Sequence, residues 1–323
     1  MLSLLTLLLS PIDQAIVARG QQEVSYGHSK RSASNLEWAL AHRHAFIVGG
    51  GNDPTLALKY VHKQVVPALL NDSSLWADNP GACHVVDVGA ASYGPATGYD
   101  YSDSLLFLGS LGGQCLIHAF DLSASKLLEL RKLAGGSPSL RTHHIALGDR
   151  DGNATVRSPK HGGDERANLW SIADDKSLAG SRGELRALTF DSFAKTEGIR
   201  TVRYAKVDVQ GHDPRVALGM RHLLHARHVG FASFEYSNHW QSPDSLASFQ
   251  AWAQGLGYST YLVAADAARQ RARLVRVSGV FWQPALELCT PGSDRRCVID
   301  LIIVEAGSAL EQQLLWRVNG EEA

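Results

Sequence analysis

The sequence predicts an α/β protein built on a mostly parallel sheet with helices on both faces. Three observations carry this expectation. From residue 84 onward, short apolar runs alternate with segments whose apolar residues recur at helical spacing. Acidic and small residues follow the ends of several of those runs, where ligands of such sheets sit. The run Val298 to Val304 is almost continuously apolar, as a strand covered on both faces is.

The elements follow in order. Residues 1 to 35 combine an apolar start with a polar stretch, and residues 36 to 80 form a helical lead-in. Asp53-Pro54 starts a helix, with proline at its first position, and Leu56, Leu58, Val61, Val65 and Leu69 follow. The main domain is expected over residues 81 to 310, with a tail over 311 to 323. Its first strand is His84 to Val88, and a small-residue loop, Gly89 to Gly94, comes next. A helix runs from about Ser102 to Leu111, a second strand covers Cys115 to Phe120, and Ser123 opens another helix. His144 to Leu147 is the expected third strand. Residues 150 to 184 are polar and read as an insertion or loop, and Leu185 to Phe190 as an edge strand. Strands over Val202 to Val209 and Val229 to Phe234 each precede a helix, opened by Asp213-Pro214 and Ser242-Pro243 respectively. Leu246, Phe249, Trp252, Ala253 and Leu256 share the buried face of the latter, and Gly257 stops it. Thr260 to Ala264 and Val298 to Val304 close the sheet, the last strand antiparallel.

Composition excludes some partners. With 31 Lys+Arg against 32 Asp+Glu, the formal net charge is −1, so no global basic field draws in a nucleic acid. Leu2 to Leu9 is apolar but too short to span a bilayer. It reads as a secretory signal, an anchor or a first helix, and membrane association is expected only in the anchor case. The cytosol is slightly favoured. Cys83 and Cys115 are expected as buried free thiols, while Cys289 and Cys297 flank a turn-rich loop and would bridge only in an oxidising compartment. Asn71 and Asn153 begin Asn-x-Ser/Thr sequons, which matter only if the chain is secreted.

The chemistry-bearing residues stand at the strand ends. Asp87 and Gly89 end the first strand, and Gly89 permits a sharp turn. Asp121 ends the second, where a carboxylate can accept from both hydroxyls of a ribose or simply cap a helix. Asp208-Val209-Gln210-Gly211-His212-Asp213 ends a later strand, and His212 is a base candidate at neutral pH. Glu235 ends the strand after that, with His239 nearby.

Together these residues resemble the FkbM family of methyltransferases over about residues 84 to 265. The family's motifs stand here, in order, as Asp87-Val88-Gly89-Ala90, Ala119-Phe120-Asp121-Leu122, Ala146-Leu147-Gly148-Asp149-Arg150-Asp151-Gly152, Thr189-Phe190-Asp191-Ser192-Phe193, Lys206-Val207-Asp208-Val209-Gln210-Gly211-His212-Asp213, and Glu235. Gln210 replaces a family Glu, Asp121 stands where Glu is usual, and the stretch between Gly89 and Asp121 is longer than in the family. The resemblance implies a Rossmann-like class I methyltransferase fold, S-adenosylmethionine as donor, and O-methylation of a small hydroxylated acceptor such as a sugar or secondary metabolite. It implies that Asp87, Gly89, Ala90 and Gly94 line the methionine side of the donor. Asp121 would hold the ribose and Asp149 would lie near the adenine. His212 or Asp208 would take the acceptor's proton, with Glu235 the second choice. No metal is implied.

Two rivals remain. A nicotinamide-linked dehydrogenase is disfavoured, because Gly89 to Gly94 does not fit G-x-G-x-x-G. A non-catalytic binding or scaffold protein that has lost turnover is favoured by Gln210 and the long glycine loop. Gly49-Gly50-Gly51 reads as a turn, and His222, His225 and His228 as the polar face of a helix. Trp170, Trp240, Trp252, Trp282 and Trp316 read as packing residues.

Overall fold

The computed structural model describes residues 37–41, 54–77, 81–90, 102–159, 180–238, 240, 245–266, 271–289 and 297–320. In chain order, α1 (Pro54–Tyr60) passes through a π-helical turn (Val61–Val65) into α2 (Val66–Leu70). Then come β1 (Cys83–Val88), α3 (Asp103–Leu111), β2 (Cys115–Phe120), α4 (Ala124–Leu133), β3 (Leu140–His143) and β4 (Ala146–Leu147). They are followed by β5 (Gly152–Pro159), β6 (Gly180–Leu188), α5 (Phe190–Glu197), β7 (Val202–Val207), α6 (Asp213–Gly219) and α7 (Arg221–His225). The chain ends with β8 (Val229–Ser237), α8 (Leu246–Gly255), β9 (Tyr258–Asp266), β10 (Arg271–Arg276), β11 (Val298–Glu305) and α9 (Ala309–Asn319). This is a Rossmann-like α/β fold, of mostly parallel strands alternating with helices, with an antiparallel strand near the C-terminus. The chain folds as two compact units, Asn79–Val229, and Met1–Asp78 with Gly230–Ala323.

In the first unit, β7, β1, β2 and β3 lie side by side in that order, every pair parallel. The chain starts in the middle at β1, steps outward through β2 to β3, then returns to the other flank of β1 with β7. That reversal makes the carboxyl end of β1 a topological switch point, where ligands bind in such sheets. A separate three-stranded sheet has the order β4-β6-β5, with β4 parallel to β6 and β5 antiparallel to it.

Three expectations are corrected here. The third parallel strand is Leu140–His143, and Ala146–Leu147 belongs to the smaller sheet. The polar 150–184 segment supplies two strands, β5 and the start of β6, because Ala154 and Val156 alternate inward between exposed Asn153 and Thr155. β6 ends at Leu188 and lies in the middle of its sheet, while Phe190 already belongs to α5, whose start Thr189 caps by accepting from the Ser192 N–H at 3.1 Å.

In the second unit the order is β8-β11-β9-β10, with each neighbouring pair antiparallel. β8 and β9 therefore run the same way with β11 reversed between them. This central position explains the apolar run of β11, whose Leu301, Ile302, Ile303 and Val304 are at most 1% exposed. The five apolar residues expected on the inner face of α8 are all buried, and Gly257 follows that helix at φ +88°. The acid of Glu287 accepts from the N–H groups of Leu246 and Ala247, at 2.9 and 3.0 Å, at the positive end of α8. Ser308 and Glu311 have capping-box spacing at α9. Ser308 accepts from the Glu311 N–H, and Glu311 reaches back to the Gly307 N–H. Trp240 and Trp252 are buried, Trp316 is half-exposed, and Trp170 lies outside the described residues. Among the described residues no helix is long and apolar enough to cross a membrane.

All four cysteines are bridged, which corrects the free-thiol expectation for Cys83 and Cys115. Those two are register partners at the starts of β1 and β2, with Cα atoms 4.5 Å apart, within disulfide reach. Cys289 pairs with Cys297.

Three histidines cross β1, β2 and β3. His84 Nδ1 lies 3.1 Å from His118 Nε2, and His118 Nδ1 lies 3.2 Å from His143 Nε2. Phe193 of α5 packs edge-on against His118 and His143. Burial first, then the positive neighbours His143, His84 and Arg141, push His118 down to about 3. Burial, Arg141 and Arg131 push His143 down to about 4. The unfolded chain titrates these rings near the usual 6.5, so below that pH it takes up protons that the folded state refuses. Stability is therefore expected to fall as pH drops from about 6.5 toward 4, each ring contributing up to about 1.4 kcal/mol per pH unit. Urea denaturation at pH 7 and pH 5 checks this, and His118→Gln should flatten the difference.

Candidate functional site

The carboxyl ends of β1, β2 and β7 gather most of the predicted residues. Asp87 of β1 is fully buried, and its register partner on β7 is Lys206. An ionised carboxylate taken from water needs a counter-charge. Lys206 Nζ supplies it at 3.6 Å from Asp87 Oδ1, and also lies 3.4 Å from Asp103 Oδ2 and 3.3 Å from Asp208 Oδ2. Ser104 donates to Asp87 Oδ2 at 2.6 Å. Burial alone would lower the Lys206 pKa, but Asp208, Asp87 and Asp103 outweigh it and hold the ammonium well above its usual value. Among the described residues, Lys206 Nζ thus lies within ion-pair distance of three acids at the strand ends.

Asp121 adds a fourth carboxylate at the end of β2. Its Oδ1 accepts from the Ser123 N–H at 2.7 Å. Burial raises its pKa, opposed by that hydrogen bond and by Lys126, while the charge of Asp87 raises it further. The helix cap weighed for Asp121 falls instead to Ser123, which accepts from the Lys126 N–H.

The turn backbone is tightly interlocked. Asp208 donates its N–H to the Val88 carbonyl at 3.0 Å, and Gly89 has φ +81°. A Cβ on Gly89 would overlap the Asp208 carbonyl oxygen, so the close approach that glycine allows is to the β7 turn. The Gly89 and Ala90 N–H groups both donate to the Phe120 carbonyl, at 2.9 and 3.0 Å. Gln210 adopts φ +56° and its amide lies 3.3 Å from Asp208 Oδ1. Gly211 follows at φ +96°, and its N–H donates to the buried Asp213 that opens α6.

A second group forms beside it. Asp149 pairs with Arg215 at 3.3 Å. His212 packs against Gly148, its Nε2 3.7 Å from where a Cβ would stand. Burial lowers the His212 pKa, with Asp149 opposing and Arg215 assisting, so the ring is neutral at pH 7 and able to accept a proton. Gly219 holds α6 in place, because a Cβ there would overlap the Gly148 carbonyl oxygen.

The structure thus brings Asp87, Asp121 and Asp208 into one charged cluster, and Asp149 and His212 into a second group, from segments far apart in the sequence. Glu235 belongs to the other unit, on β8 opposite Asp300 of β11. Gly94 and His239, with the Gly49-Gly50-Gly51 turn, lie outside the described residues. Asp103 and Ser104 were not singled out by sequence reasoning, and Lys206 entered only as the first residue of a family motif, with no role assigned. The signal for Lys206 was present, since a charge between Ala205 and Val207 in a strand buried on both faces demands counter-ions. Asp103 gave none beyond a helix start. Among the described residues no group of three or more His, Cys, Asp or Glu side chains is disposed to hold a metal. An open cleft of about 530 Å³ elsewhere in this unit is lined by Asp151 and Asp191. Both acids are used structurally, accepting from Thr189 and Ser192 and from the His222 and Leu223 N–H groups.

No family model matches the chain, and no curated protein matches its sequence. Solved structures similar to it include methyltransferases. A SAM-dependent methyltransferase from Agrobacterium tumefaciens is 10% identical, covering 76% of this chain and 61% of that one, with TM-score 0.34. This chain therefore spans less than two thirds of that structure's length. The plantazolicin methyltransferase BpumL, in complex with a triazolic desmethylPZN analog and SAH, is 7% identical over 92% and 99% of the two chains, TM-score 0.28. An uncharacterized protein from Burkholderia thailandensis is 14% identical over 96% and 97%, TM-score 0.31.

Removing the ammonium should leave Asp87 charged and buried. Lys206→Met is expected to destabilise the protein by about 3 kcal/mol or more at pH 7. The deficit should shrink as pH falls, because a buried carboxylate that has lost its counter-ion is relieved by taking up a proton, and chemical denaturation at pH 7 and at acid pH measures it.

Proposed function

We propose that this protein is an S-adenosylmethionine-dependent methyltransferase of FkbM type that methylates a hydroxyl group of a small acceptor, such as a sugar or secondary metabolite. The observation that carries this reading is the gathering of carboxylates around Lys206 at the switch point, with Asp121 beside it on β2. The donor is a sulfonium bearing a ribose and an ammonium, so nearby carboxylates suit it, and a strand-end carboxylate suits its hydroxyls. Asp121 fits the ribose role, since its Oδ1 is already oriented by the Ser123 N–H. Asp87 fits an electrostatic role, because Ser104 and Lys206 fix its carboxylate. The Gly89 and Ala90 amides serve the chain itself, so their contribution is to shape the turn. Asp149 would sit at the adenine side.

When bound, the cofactor supplies an activated methyl group. The protein must orient the acceptor oxygen, exclude water and remove a proton. His212 is the better base of the two in this unit. Its imidazole is neutral, whereas the Asp208 carboxylate is engaged with the Lys206 ammonium at 3.3 Å. A binding protein without turnover is the alternative, favoured by Gln210, whose uncharged amide contacts Asp208 where the family carries an acid.

Calorimetric titration of the full chain with S-adenosylmethionine and its demethylated product tests the reading. Asp121→Ala is expected to weaken binding at least about tenfold, the loss of a charge-assisted hydrogen-bond pair. No binding of either ligand by the folded protein would sink the proposal, and binding without methyl transfer across an acceptor panel would favour the alternative. With His212 as base, activity should persist as pH falls to about 6.5 and decline only below it, since its folded pKa lies under that ordinary value.

A further inference from the structure

We propose that Asn71 and Asn153 are N-glycan acceptor sites, and that the chain folds in an oxidising secretory compartment where they are modified. The first support is the state of the cysteines. Four cysteines in 323 residues are all consumed in two bridges, Cys83–Cys115 and Cys289–Cys297. Each unit holds one bridge. Structural disulfides persist in oxidising compartments and are rare in the cytosol. The cysteines are at most 7% exposed, so these are interior bridges formed as the strands and loop come together.

The second support is independent of the cysteines. Asn71-Asp72-Ser73 and Asn153-Ala154-Thr155 both fit the acceptor pattern, with no proline in the middle position. A glycan is bulky and needs solvent around its root. Asn71 is exposed at the C-terminal end of α2, and Ser73 beside it is exposed as well. Asn153 and Thr155 project from the same exposed face of β5, with Ala154 between them turned inward. Among the described residues β5 pairs with β6 alone, which places it at the edge of its sheet. A buried or face-alternated sequon would not meet this condition.

The transfer balances with a lipid-pyrophosphate-linked oligosaccharide as donor. The side-chain amide nitrogen bonds to the anomeric carbon, the bond from that carbon to the pyrophosphate oxygen breaks, and the lipid pyrophosphate leaves with the electron pair. The amide gives up one proton. The Asp121, Asp87 and Lys206 cluster takes no part, so this inference stands apart from the proposed methyl transfer.

The test uses the full chain with its own N-terminus, expressed in a eukaryotic cell with a C-terminal tag. Treatment with a glycan-removing amidase should lower its apparent mass, and mass spectrometry should find the resulting Asn-to-Asp conversion at both positions. Asn71→Gln and Asn153→Gln should each abolish one glycan, as should Ser73→Ala and Thr155→Ala, which keep the asparagines. Thiol trapping should find no free cysteine until reduction. A glycan-free chain with four free thiols would overturn the whole proposal. Intact bridges without glycan would overturn the acceptor sites, and modification at one position only would overturn the other.

Discussion

A buried ammonium holds the switch point together. Lys206 lies among Asp87, Asp103 and Asp208, acids contributed by β1, the first turn of α3 and the turn after β7. Each acid reaches the cluster from a different part of the chain, so the cation can form its contacts only when β1 and β7 are paired and α3 has begun at its observed position. The contacts are worth more inside the protein than in water, because the low dielectric strengthens them and an unpaired charge there is costly. Among the described residues, three acids gather on this one ammonium, at the place where parallel sheets offer their ligand sites.

The backbone around this cluster is committed before any side chain is considered. Gly89 must be glycine because the Asp208 carbonyl occupies the space of a Cβ, and its φ lies in the left-handed region. Gly219 has no room for a Cβ against the Gly148 carbonyl, which ties the helix after the β7 turn to the segment carrying Asp149. Phe120 receives two amides from the β1 loop, so β2 and that loop end together. Asp121, the next residue, is thereby fixed at the same strand ends as Asp87. His212 and Asp149 are then held through Arg215 and the close packing of α6, and burial keeps the imidazole neutral.

The other unit is organised by different means. β11 lies reversed between β8 and β9 and is covered on both faces, while helices α8 and α9 are fixed at their N-termini by Glu287 and Glu311. Both acids also accept from buried tyrosines, Tyr236 and Tyr261 respectively, at 2.6 Å, which joins each helix start to a strand. Burial, then the acid partner, pushes both phenols above their ordinary pKa, so they remain donors.

Much of this was legible in the sequence. Apolar periodicity located β1, β2, β7, β8, β11 and the buried face of α8, because burial on both faces or on one stripe is written in residue type. Acids and glycines placed after strands marked the switch point, because strand ends are where a parallel sheet offers backbone and side chains to a ligand. Pairing was not legible. Leu140–His143 and Ala146–Leu147 are both short, and only the pairing with β2 or β6 decides which sheet each joins. The polar 150–184 segment concealed strands because only one face of β5 is buried. Cys83 and Cys115, separated by 32 positions, met only through the register of β1 against β2. Lys206 stood in plain view as a charge within a buried strand, but its three partners were chosen by tertiary contacts. Local residue type sets which elements form and where they end; which of them touch depends on long-range pairing, and that alone brings Lys206, Asp87 and Asp103 within ion-pair distance.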